Sequence, residues 1–113
     1  MKNSKKTIKL VNELMGFCYQ VGIKHIEIDV KDEPSQMIII IRGMTKKLDN
    51  ERLEEAKRLL NTPRETQVEE YYWELAGEDN QAQKLALVGQ MVDQAEINYE
   101  NNNLEIKVYR KDD

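Results

Sequence analysis

Met37 and the four isoleucines that follow it, Ile38 to Ile41, constrain this chain more than any other stretch. Successive side chains of a strand point to opposite faces, so five apolar residues in a row make both faces apolar. Such a run belongs inside a sheet, with little solvent exposure. The segment before it, Ile23 to Val30, alternates instead: Ile26, Ile28 and Val30 face one way, His25, Glu27 and Asp29 the other. That is the pattern of a half-buried strand. Asp32, Glu33, Pro34 and Ser35 make a turn between the two, which predicts a hairpin.

Helical patterns flank this hairpin. Over residues 5 to 21, Ile8, Val11, Leu14, Met15, Cys18 and Val21 recur at three- and four-residue steps, and Leu10 and Phe17 widen the apolar face. Gly22 is a natural stop. Asp49 is an N-cap between the staple residues Leu48 and Leu53, and Leu53, Ala56, Leu59 and Leu60 form a buried face up to Thr62 and Pro63. Val68, Tyr71, Tyr72 and Leu75 suggest a short helix ending at Gly77. A further helix is capped by Asn80 with Gln83 and lined by Leu85, Val88, Val92 and Ala95. Ile97 and Tyr99, a turn at Asn101 to Asn103, then Leu104, Ile106 and Val108 predict a second hairpin. The order predicts an α+β fold, a two-layer α/β sandwich with helices on one face of a mixed sheet built from two hairpins. The 113 residues suit a single domain, 1–113.

Composition narrows the function. Residues are 40% hydrophobic and 34% charged, with a net charge of −4. That balance argues against nucleic acid, which asks for a basic face. Lys2, Lys5, Lys6 and Lys9 cluster at the start of the first helix and read as a solvated face. No apolar run approaches the ~20 residues that span a bilayer, and no signal-peptide pattern opens the chain. The expected location is cytoplasmic. Cys18 is the sole cysteine, which rules out an internal disulfide.

The residue types that carry chemistry are sparse. His25 has no companions at metal-ligand spacing. Cys18 lies on the apolar helix face, where its thiolate is disfavoured. The carboxylates fall on solvated faces, and the glycines form no phosphate loop. No catalytic residue, metal ligand or cofactor is expected. Tyr71, Tyr72 and Trp73 stand out, because adjacent helical residues turn by about 100° and three of them cannot all face one core. Either they roof the sheet edge, or at least one is an interface anchor inside the rim of Glu69, Glu70 and Glu74.

The element order resembles the GHKL, or Bergerat-fold, ATP-binding domain of histidine kinases and anti-sigma-factor kinases. The stretch Glu13 to Gly22 can be laid on that family's N-box, Glu-x-x-x-Asn-Ala-x-x-His-Gly, with its Glu and Gly retained. Leu85 to Asp93 is similar to the helix after the second glycine box, and Ile97 to Tyr109 to the closing hairpin. The resemblance covers nearly the whole chain. It places Phe17 where the family has its magnesium-binding Asn, Val21 at the His, and Arg42-Gly43-Met44-Thr45 where an adenine-reading Asp is due. Asn80, Ala82 and Lys84 stand in place of the glycines. The resemblance therefore implies a degenerate ATP site. The expectation is a non-catalytic, kinase-like regulatory domain that works through a protein partner or a homodimer, with Tyr71, Tyr72 and Trp73 as the contact. The alternative is a divergent nucleotide-binding switch or anti-sigma-type serine kinase using Glu13 and Gly43, and a third reading is a small-molecule sensor in the emptied cleft.

Overall fold

The computed structural model describes residues 4–61 and 81–111. Helix α1 runs Ser4–Gln20. It ends as Gly22 demands: the Val21 N–H donates to the Phe17 carbonyl and the Ile23 N–H to the Cys18 carbonyl, across Gly22 at φ +92°. This left-handed stop satisfies carbonyls the helix would leave open. Strand β1 is Glu27–Asp32 and β2 is Gln36–Met44. Helix α2 spans Asn50–Leu60, with the Asp49 carboxylate accepting from the Arg52 N–H at 2.8 Å. Leu48 and Leu53 are both buried at its staple positions. Helix α3 covers Gln81–Gln90, and β3 (Gln94–Glu100) and β4 (Asn103–Lys111) close the chain. Asn101 and Asn102 turn this last hairpin at φ +53° and +67°. Positive φ at both central residues is the two-residue turn whose twist matches a hairpin.

The fold is α+β. α1 packs on β2 and α3, and α2 on α3 and β3, so the helices lie against the sheet. The strand order is β1-β2-β4-β3 and every pairing is antiparallel. The sheet is thus not mixed. The helical crossover does return the chain parallel to β2, but β4 inserts between β2 and β3 and pairs antiparallel with both. β2 is central, as its isoleucines require. Its helix-side residues Met37, Ile39 and Ile41 are buried, whereas Ile38 and Ile40 on the open face are half-buried beside Tyr109 and Lys107.

Three further expectations change. The first strand begins at Glu27, because Ile23 is still tied to the end of α1. It is not half-buried: all six of its residues are exposed, since it is an edge that α1, lying over β2, does not cover. The last helix stops at Gln90, and Ala95 lies in β3. There the Asp93 N–H already donates to the Tyr109 carbonyl at 2.8 Å, which draws the chain into the sheet. The expected short helix at Val68 to Leu75 and the Asn80 cap lie outside the described residues.

Candidate functional site

The best-formed corner of the molecule is where α1 ends, β2 ends and the last hairpin turns. Thr45 holds it together. Its side chain is buried, and its hydroxyl donates to the Val21 carbonyl at 2.6 Å while accepting from the Lys47 N–H at 3.1 Å. Its own N–H donates to the Asn102 carbonyl at 2.8 Å, and its carbonyl accepts from the Tyr99 hydroxyl. Three separate elements are thereby fixed to one residue. Gly43 lets them close up: a Cβ there would overlap Ile23 Cγ2 and stand 3.0 Å from the His25 carbonyl oxygen.

The closure leaves a groove of about 610 Å³ on the sheet's open end. Gly22, Gly43, Met44 and Leu104 line it together with Lys24, His25, Arg42 and Lys46, and with Glu27 and Glu105. Both carboxylates lie near Arg42, Glu105 at 3.5 Å and Glu27 at 3.9 Å from the guanidinium. What the groove presents is thus cationic and imidazole donors with two carboxylates beside Arg42, over a partly apolar lining. Such a surface can hold a polar or acidic group in place, but it offers no nucleophile paired with a base. On the neighbouring sheet surface the Lys107 ammonium lies 5.7 Å from the Tyr109 ring centroid. Its bond to the Tyr109 side chain, and then Glu96 and Glu105, push the Lys107 pKa above its ordinary value.

The sequence-derived residues are scattered. Glu13 is buried on α1 and does not line the groove, whereas Gly43 does, so the pair named for nucleotide binding is not brought together there. Phe17 is 3% exposed and belongs to the core with Leu10, Leu14 and Val21. Cys18 is buried beside it, and desolvation pushes its thiol up to about 12. His25 precedes β1 and is exposed at the groove rather than standing on a strand face. Tyr71, Tyr72 and Trp73 lie outside the described residues. Sequence reasoning missed Thr45 as the organising residue; the only local signal was a hydroxyl two residues after Gly43 at the end of β2, and its approach to Gly22 is visible only in the fold. Among the described residues, no cluster of three or more His, Cys, Asp or Glu could hold a metal ion, and no helix is long and apolar enough to cross a membrane. The chain matches no protein-family model and no curated protein.

Proposed function

We propose that the chain is a degenerate GHKL-type domain that has given up nucleotide chemistry and regulates by binding another protein. One observation carries this reading. Phe17, which the resemblance aligns with the magnesium-binding Asn, is packed into the core at 3% exposure. A buried benzyl group offers a metal no lone pair and a phosphate no donor. The residues present do not fit Mg-ATP. Arg42, near the position of the adenine-reading Asp, is a donor-only group engaged with Glu27 and Glu105 on the open face. The element order, a long first helix, a hairpin, helices and a closing hairpin, also supports the reading. The contact surface we assign is Tyr71, Tyr72 and Trp73, from the sequence argument that a helix cannot bury all three.

The test is thermal unfolding with Mg-ATP titrated in, alongside acrylamide quenching of the single tryptophan. Ligand at a hundred times Kd stabilises by about 2.7 kcal/mol. No saturable rise in Tm and a readily quenched Trp73 are expected. A rise with ATP that sulfate does not reproduce would instead make the domain a divergent nucleotide switch. A shielded Trp73 would remove the aromatic contact.

A further inference from the structure

The helix side of the sheet carries two apolar rows that run across all four strands. One is Ile28, Ile41, Ile106 and Ile97; the other is Val30, Ile39, Val108 and Ala95. The two inner members of each row are fully buried, and Ile97 and Ala95, at the β3 edge under α2, are 8% exposed. Ile28 and Val30, at the β1 edge, are 38% and 43% exposed. The same apolar face thus continues one strand beyond its cover. Natural edges are blunted in several ways, of which a charge in the middle of the apolar side is the one that would most directly spoil an apolar contact. In β1 the charges Glu27, Asp29 and Lys31 share the open face with Ile38 and Ile40, and the helix side carries only Ile28 and Val30 before Asp32.

We propose that β1 pairs antiparallel with β1 of a second copy of this chain, about a two-fold axis normal to the sheet and midway between Asp29 and its copy, giving one continuous eight-stranded sheet. The inference goes beyond the proposed function, since it uses a different surface and needs neither the aromatic segment nor a foreign partner. A two-fold normal to the sheet keeps every side chain on its own face, so one residue must face its own copy across the axis. With Asp29 facing its copy, Ile28 meets Val30 of the second copy and Glu27 meets Lys31, each twice. Apolar faces apolar, and opposite charges face each other. The neighbouring registers fail this test. Val30 facing its copy sets Ile28 against Asp32 and Glu27 against Glu33; Ile28 facing its copy sets Glu27 against Asp29. The chosen register has one unfavourable pair, Asp29 against its own copy, which weakens the association.

Sedimentation equilibrium of the full chain and four variants tests this. The wild type is expected to show a concentration-dependent dimer. Glu27→Lys and Lys31→Glu each turn both charge pairs repulsive and should weaken it by more than about tenfold. The first variant carries lysine at both positions and the second glutamate at both. Mixed one to one, they set opposite charges against each other in both pairs again, so the dimer should return as a heterodimer. Asp29→Asn should tighten it. A wild type that stays monomeric up to about 1 mM, where even weak contacts register, would overturn the proposal. So would charge variants that dimerise as well as wild type, or a mixture that fails to restore the dimer. A dimer indifferent to β1 charges but lost in Trp73→Ala would also overturn it, while leaving the protein-binding reading in place.

Discussion

Replacing Thr45 by valine keeps the volume of the side chain and removes its hydroxyl, which isolates the bond that ties α1 to the end of β2. The hydroxyl donates to the Val21 carbonyl at 2.6 Å and accepts from the Lys47 N–H at 3.1 Å, and Thr45 is 4% exposed. The Lys47 side of the bond is part-buried, so water can replace that partner and its loss costs little. The Val21 carbonyl lies just past the last residue of α1, with no continuing helix to bond to. Stripping a buried acceptor of its donor costs about 1–3 kcal/mol, against about 0.5–1.5 kcal/mol for an ordinary exchange with water. About 2 kcal/mol is the expected sum. A domain of this length has an unfolding entropy of about 0.24 kcal/mol/K, so that loss lowers Tm by about 8 °C. Calorimetry of Thr45→Val and Thr45→Ser decides it, because serine keeps the hydroxyl and gives up only a methyl. Thr45→Val should fall well below Thr45→Ser, with an unchanged urea m-value showing that the unfolded state is not the cause. A valine variant within about 2 °C of wild type, or a serine variant that loses as much as valine, would refute the argument that hydrogen bonding organises the corner.

Phe17→Ala should cost about 3–5 kcal/mol in denaturant unfolding, as emptying a buried aromatic site usually does; Phe17→Asn should destabilise too and should not confer Mg-ATP binding in a titration. Gly43→Ala is expected to lower Tm more than an average surface substitution, by about 1–3 kcal/mol of overpacking, because its Cβ would overlap Ile23 Cγ2; an unchanged Tm would show that the corner yields. Burial holds the Cys18 thiol up to about 12 against an ordinary 9.0. The unfolded chain therefore loses that proton first on raising pH, so the stability contributed by the neutral thiol is whole below pH 9 and declines between 9 and about 12. Wild type should lose stability over that window relative to Cys18→Ala, and iodoacetamide should label Cys18 only under denaturing conditions.

Periodicity made much of the fold legible. The three-and-four spacing of Leu14, Cys18 and Val21 predicts α1 to within a residue at either end, and Gly22 and Asp49 mark real helix limits with identifiable hydrogen bonds. Strand spans follow from the same logic, since Met37 to Ile41 does occupy an inner strand. What periodicity does not carry is pairing. Two hairpins separated by helices are compatible with several sheet orders, parallel and antiparallel at the join, and here the insertion of β4 between β2 and β3 makes all the ladders antiparallel. The boundary at Gln90 was hidden for a related reason. Leu85, Val88, Val92 and Ala95 keep helical spacing across a point where a bond to Tyr109 takes the chain into the sheet, so apolar spacing alone overran the end.

The candidate site is less legible because it is made of contacts between residues far apart in sequence. Thr45 bonds to Val21 and Asn102, and Gly43 is needed only because Ile23 and the His25 carbonyl come within a methyl group's reach. The two sheet edges make the same point about surfaces. Ile28 and Val30 in β1 and Ala95 and Ile97 in β3 alternate alike, and nothing local distinguishes them. Their difference comes from where the helix layer stops: α2 reaches β3, while α1 rests on β2 and leaves the last apolar strip of each row in solvent. A strand's pattern says which face wants cover, and the placement of the other layer decides whether the chain supplies it or a second molecule must. In this fold the uncovered strip coincides with the one of the two edge strands whose charges complement themselves in an antiparallel register, β3 carrying carboxylates but no lysine or arginine, which is why the β1 edge is read as a site of assembly rather than as incidental exposure.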